Sequence, residues 1–206
     1  MNTTSQIQIA KDLFYQKKYI EAVRIFKQYD ENYCIGLCYL LLKSPKKAFY
    51  FWNKGKNYSP ACIFGLNIIK LITNNDFDRY EVSFSFFQIR TFLEIYISLF
   101  IENDLIDWCE ILVNNADLFY GYNPESYKFI ARALYANGYF DLGITFCKKT
   151  LDIFYSDPEA LLIMAQCYYL LDKKETAKLY NDKLNKIIKD YYPAILFDEI
   201  LSKEVQ

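Results

Sequence analysis

The sequence predicts an all-α chain in which antiparallel helix hairpins stack one after another. Three observations carry this. The chain holds only six glycines and five prolines in 206 residues, and an all-β sandwich or barrel would want more turn punctuation. Pro124, Pro158 and Pro193 stand 34 and then 35 residues apart. Laying 124–157 over 158–191 gives six identities: Pro124/Pro158, Glu125/Glu159, Ala131/Ala165, Tyr135/Tyr169, Lys149/Lys183 and Ile153/Ile187. A 34-residue period with two helical patterns inside it marks a helical-hairpin array. Lastly, a small residue is followed twelve positions later by another at Ala10–Ala22, Gly36–Ala48, Ala131–Gly143 and Ala165–Ala177. Three residues after each comes a large apolar one: Leu13, Tyr39, Leu134 and Tyr168, then Ile25, Phe51, Phe146 and Tyr180. Small residues let two helices approach closely, and large ones on the same face fill the groove between them.

The elements follow in chain order. Hairpins are expected over 3–29 and 31–57, turning at Gln16-Lys17-Lys18 and Lys43-Ser44-Pro45. Residues 60–87 read as two helices around Thr73-Asn74-Asn75-Asp76, and 88–119 as two more around Glu102-Asn103-Asp104. Helical periodicity persists there without the small pairs, so these are either degenerate repeats or a plain helical bridge. The two best hairpins, 124–156 and 158–190, turn at Asn137-Gly138 and Asp172-Lys173-Lys174. Asn123 and Asp157 precede the prolines and can cap helices whose first turn accepts Pro and Glu. A last helix over 193–206 has an apolar face of Ile195, Phe197, Ile200 and Leu201 and a polar face of Asp198, Glu199 and Lys203. It is expected to cap the array. The expectation is one domain, 1–206, of five to six hairpins.

Four stretches carry a resemblance. ESYKFIARALYANGYFDLGITFCKKTL, EALLIMAQCYYLLDKKETAKLYNDKL, AKDLFYQKKYIEAVRIFKQY and a shortened CIGLCYLLLKSPKKAFYFW resemble the tetratricopeptide repeat, and together cover well over half of the chain. The resemblance implies a right-handed α-solenoid. It also implies a non-enzymatic interaction module that binds a peptide or protein segment on its concave face, lined by the first helix of each pair. The face opposite the small–large packing holds Glu125, Lys128, Arg132 and Tyr135, then Glu159, Leu162, Gln166 and Tyr169. Earlier repeats offer Ile7, Lys11 and Phe14, and Tyr33, Leu37 and Leu40. The candidate contacts are Lys11, Tyr33, Lys128, Arg132, Tyr135, Gln166 and Tyr169. Their cations and tyrosines suit an extended peptide with carboxylates and apolar side chains. Leu162 and Ile163 stand where the chaperone-tail-binding members of the family want polar clamp groups, so that ligand is not expected. EALLIMAQCYYLL is apolar on nearly all sides: it is buried on both faces or shows an apolar strip to a partner helix.

Composition removes other classes. The net charge of -1 argues against general nucleic-acid binding. The charge is uneven, +7 over 1–72, -8 over 73–126 and zero over 127–206. Such blocks steer a partner, set an end-to-end contact, or are solvated faces with no specific role. MNTTSQIQIAKD has no signal-peptide pattern. The most apolar run, 92–101, contains Glu94 and is half of the roughly 20 residues a spanning helix needs. A soluble, cytoplasmic protein is expected. There is no histidine and no phosphate-binding glycine loop. Among six cysteines only Cys34 and Cys38 have ligand-like spacing, and a zinc site would need two further ligands. The cysteines read as core thiols, with no metal or cofactor. Asp107 and Glu110 show no split environments of the kind acid–base pairs need. KSPKKAFYFWNKGK (43–56) interleaves lysines with aromatics, a pattern that also binds phosphate and stacks bases. But Phe51 and Trp52 fall where the repeat wants core. Two alternatives to the adaptor are a small cytosolic chaperone of the secretion type and a self-assembling structural subunit.

Overall fold

The computed structural model describes residues 3–74 and 84–203. Among the described residues the chain is all-α, with thirteen helices and no strand: α1 (Thr3–Tyr15), α2 (Tyr19–Phe26), α3 (Asn32–Leu41), α4 (Pro45–Gly55), α5 (Pro60–Asn74), α6 (Phe86–Glu102), α7 (Ile106–Asn114), α8 (Ala116–Tyr120), α9 (Ser126–Ala136), α10 (Phe140–Ile153), α11 (Pro158–Leu170), α12 (Lys174–Ile187) and α13 (Tyr192–Lys203). A short 3-10 turn, Lys27–Tyr29, extends α2. They form two compact units. The first holds Met1–Gln88 and Glu102–Leu112, the second Ile89–Ile101 and Val113–Gln206.

Four helix hairpins, α1/α2, α3/α4, α9/α10 and α11/α12, repeat one local design. All eight small residues of the twelve-residue pairs are buried. Counting from the first small residue, the residue seven positions on is always left-handed: Lys17 (φ 60°), Lys43 (φ 54°), Gly138 (φ 84°) and Asp172 (φ 58°). In each turn the next N–H donates back to the carbonyl of the large residue: Lys18 to Leu13, Ser44 to Tyr39, Tyr139 to Leu134 and Lys173 to Tyr168, all at 2.9 Å. The left-handed residue donates to the carbonyl one further on, as in Lys43 to Leu40. This is the Schellman closure, which satisfies two helix-end carbonyls and reverses the chain. The large residues then meet: Tyr39 stacks on Phe51 at 5.5 Å and Tyr168 on Tyr180 at 5.5 Å.

In the first unit the core centres on Trp52, which is fully buried. Its indole passes between Gly36 of α3 and Gly65 of α5. A Cβ on Gly36 would lie 2.0 Å from Trp52 Nε1, and one on Gly65 would lie 2.7 Å from the ring. The indole N–H donates to the Tyr33 carbonyl at 3.0 Å. Burying about 200 Å² of ring at about 25 cal/mol per Å² contributes on the order of 5 kcal/mol. The same unit holds Tyr19, whose hydroxyl donates to Asn103 Oδ1 at 2.5 Å, and Lys17, whose ammonium donates to the Glu102 carbonyl.

Three expectations need correction. The sequence expectation divides hairpins between residues 87 and 88, but α6 runs unbroken from Phe86. Ser85 Oγ accepts from the Gln88 N–H at 3.3 Å while Gln88 Oε1 accepts from the Ser85 N–H at 2.9 Å. This capping box fixes the helix start. The second helix expected in 60–87, after the turn at Thr73-Asn74-Asn75-Asp76, lies mostly outside the described residues. Pro124 does not begin a helix; it sits in a turn two residues before α9, with Asn123 Oδ1 accepting from the Glu125 N–H at 2.8 Å. Pro158, by contrast, is at the start of α11, and Pro193 is in the first turn of α13. Finally, α13 is rotated from the expected face. Ala194, Phe197 and Leu201 point inward, with Asp198 accepting from Asn181 Nδ2 at 2.6 Å and Asn185 Nδ2 at 2.7 Å. Asn181 is fully buried on α12, and its amide needs an acceptor; that demand turns Asp198 inward. Tyr192, Ile195, Leu196 and Ile200 consequently face outward, 67%, 40%, 41% and 46% exposed.

Candidate protein-binding groove

In the second unit the first helices of consecutive hairpins, α9 and α11, line one open groove of about 470 Å³. Lys128, Arg132 and Tyr135 come from α9; Glu159, Leu162, Ile163 and Gln166 come from α11. Asp157, Pro158 and Tyr191 complete the wall. The α11 half is set by its cap. Asp157 Oδ1 accepts from the Ala160 N–H at 2.8 Å and Pro158 fills a position where no amide hydrogen is needed.

The second oxygen of Asp157 does a different job. It accepts from Lys128 Nζ at 2.9 Å. Glu125 lies 2.5 Å from the same ammonium and Glu159 3.8 Å from it. The Lys128 side chain is 9% exposed. Burial pushes its pKa down, but bonds from Asp157 and Glu125 outweigh that and leave it raised. Lys128 is therefore an internal cross-tie, not the free groove cation expected from its helical face: three carboxylates already neutralise it. Arg132 is similarly engaged. Its Nη1 donates to Glu159 Oε1 at 2.9 Å and its Nε lies 3.4 Å from Glu94 Oε1. Glu94 also accepts from Arg90 Nε at 3.1 Å. Burial raises the Glu94 pKa, Arg90 opposes that, and the Glu159 carboxylate adds to the rise.

Tyr135 is half-buried, tilted against Phe140 at 6.2 Å, and burial raises its hydroxyl pKa. Gln166 is half-buried on the groove wall. So Lys128, Arg132, Tyr135 and Gln166 come together. Tyr169 does not join them: it packs edge-on against buried Phe197 of α13 at 5.7 Å. Lys11 and Tyr33 belong to the first unit. Lys11 is exposed on α1, and Tyr33 stacks on Trp52 at 6.3 Å beside a separate cavity of about 390 Å³. Leu37 and Leu40 are core. The sequence reading missed Tyr191 and the ion-pair partner Glu94. Asp157 is expected from the sequence only as a cap, whereas Glu159 is also expected on the groove face. The apolar helix α11 is covered on most of its circumference by α9, α10, α12 and α13.

The other chemistry-bearing residues fall elsewhere. All six thiols are free, and five are buried. Burial pushes Cys34 up to about 11 and Cys38 up to about 12, which holds both away from the nucleophilic thiolate form. Among the described residues no group of three or more His, Cys, Asp or Glu is placed to hold a metal ion. Asp107 and Glu110 are exposed on α7. In 43–56, Trp52 is core and Lys54 pairs with Asp30 at 2.7 Å, while Phe49 and Tyr50 are exposed. No helix among the described residues is long and apolar enough to cross a membrane.

No family model and no curated protein matches this chain. A solved structure similar to it is the C-terminal part of a tetratricopeptide-repeat-containing protein from Cytophaga hutchinsonii. The two are 15% identical with a TM-score of 0.43, over 91% of this chain and 67% of that one.

Proposed function

We propose that the chain is a non-enzymatic interaction module whose α9–α11 groove binds an extended segment of another protein. One observation carries this reading. Two consecutive first helices place an aromatic, two aliphatics and an amide (Tyr135, Leu162, Ile163 and Gln166) along one open groove whose ion pairs are already satisfied. Such a surface offers contact area and hydrogen bonds without a reactive group. A photo-crosslinking side chain at Gln166, compared with one at exposed Lys148 on α10, tests it in cells of the source organism. A partner captured from position 166 and not from 148 supports the groove; capture from 148 alone overturns it.

The outward apolar face of α13 favours a second reading, self-association. Solution mass at low and high protein concentration checks it: a constant monomer excludes it.

A further inference from the structure

Away from the groove, charge in the first unit is gathered on two surfaces of opposite sign. We infer that a cationic, ring-bearing face formed by α2, α3 and α4 docks the acidic residues 102–112 of a second copy, so that the chain self-associates through a charge contact. The inference does not depend on the groove.

The cationic face is built on the stacked pair Tyr39 and Phe51. Lys27 Nζ stands 5.6 Å from the centre of the Tyr39 ring and 5.4 Å from that of Phe51, and Lys47 Nζ 5.3 Å from that of Tyr39. These contacts hold both ammoniums in place, so less freedom is lost when a carboxylate arrives. Arg24 lies one turn before Lys27, and Lys43 and Lys46 flank Lys47 at the start of α4. All five cations are exposed. Glu21 is the one acid on α2, and α4 has none. Phe49 and Tyr50, 40% and 64% exposed, add apolar contact beside the charges.

Residues 102–112 carry the complement. They hold Glu102, Asp104, Asp107 and Glu110, all exposed, and no lysine or arginine. Lys17 binds the Glu102 carbonyl, which leaves the carboxylate open. Among the described residues none of these four acids forms an ion pair, and neither do Arg24, Lys43, Lys46 and Lys47. At the groove, by contrast, Lys128 and Arg132 are already matched by carboxylates. Neither surface of the first unit is neutralised within its own chain. The net charge of -1 lets two copies approach without bulk repulsion. Because the contact joins two different faces, it can extend into a ring or a chain.

Sedimentation of the full chain at several protein concentrations tests this. The association constant should fall about tenfold or more between roughly 0.05 M and 0.5 M sodium chloride. Two variants sharpen the test, Lys46→Glu/Lys47→Glu and Asp107→Lys/Glu110→Lys, each first shown folded by helical circular dichroism. The first places carboxylates in the opening turn of α4, where the helix end favours them. Either variant alone has two faces of like charge and should stay monomeric; mixed, each supplies the surface the other lacks, and association should return. Lys148→Glu/Lys183→Glu makes the same charge change in the second unit and should associate like wild type. If one reversal variant unfolds, the other's loss of association and the salt series decide. A wild type that is monomeric at low salt, association unchanged or strengthened by salt, an unrestored mixture, or equal loss in Lys148→Glu/Lys183→Glu overturns the inference. Association strengthened by salt would point to the apolar face of α13 instead.

Discussion

Replacing Gly138 by Ala isolates the energy of the hairpin turn. Gly138 sits at φ 84°, and a Cβ built there meets no atom within 4 Å. No packing term enters, so the whole effect is backbone. A left-handed conformation costs an L-residue roughly 1–2 kcal/mol. Alanine also stiffens the unfolded chain, which returns roughly 0.4–1 kcal/mol. The net expectation is a loss of about 1 kcal/mol. The same register gives the reverse experiment at Lys43, a non-glycine at φ 54° in the corresponding turn of α3/α4, whose side chain is exposed. Lys43→Gly relieves the strain and gives back some unfolded-state entropy, for a gain of about 0.5 kcal/mol. Urea melts followed by far-ultraviolet circular dichroism read both. The opposite signs are the test. A Gly138→Ala protein as stable as wild type, or a Lys43→Gly protein less stable, would refute the shared left-handed closure.

Three further outcomes are expected. Gly36→Ala should cost about 3 kcal/mol, because its Cβ would stand 2.0 Å from Trp52 Nε1 and the ring has nowhere to move, while Gly143→Ala, meeting Cys167 Sγ at 3.3 Å, should stay within about 1 kcal/mol of wild type; equal urea midpoints would refute this. Lys128→Met should cost about 3 kcal/mol by stranding Asp157 and Glu125, and Lys128→Met/Asp157→Asn should recover part of it, since Asn still caps α11; no recovery would show that the stranded charge is not the cause. Finally, burial pushes the Cys38 thiol up to about 12 from an ordinary value of 9.0, and Cys109 up to about 11. The folded chain thus holds these protons longer than the unfolded one. Their contribution is complete below about pH 9 and is lost as pH rises toward 12. Urea midpoints should fall over that window, and fall less in Cys38→Ala.

The repeats were legible because their signal is steric. Small–small pairs at twelve residues and large residues three further on dictate how closely two helices approach, and all eight small positions are buried. The middle was less legible because its punctuation lies in side-chain hydrogen bonds. Ser85 and Gln88 form a capping box that a pattern of apolar spacings does not register. At the groove, helical phase puts Arg132 and Tyr135 on one face of α9 and Gln166 on one face of α11, and the three line one cavity. Phase cannot report partners that arrive from another helix. Glu94 comes from α6, and it converts Arg132 from an available donor into a shared one. The face of α13 was misassigned for the same reason: Asn181 on α12, not the apolar pattern of α13 itself, decides which way Asp198 points.

The indole held between two glycines gives the chain unequal optics. Both of its tryptophans, Trp52 and Trp108, lie in the first compact unit, and the second has none. Trp52 is fully buried and its N–H is bonded to a carbonyl, so its emission is expected to shift when unfolding exposes the ring to water. Tryptophan fluorescence therefore watches one unit melt, and helical dichroism watches both. Coincident denaturation curves from the two signals mean that the units unfold as one cooperative system, and separated curves give each unit its own stability.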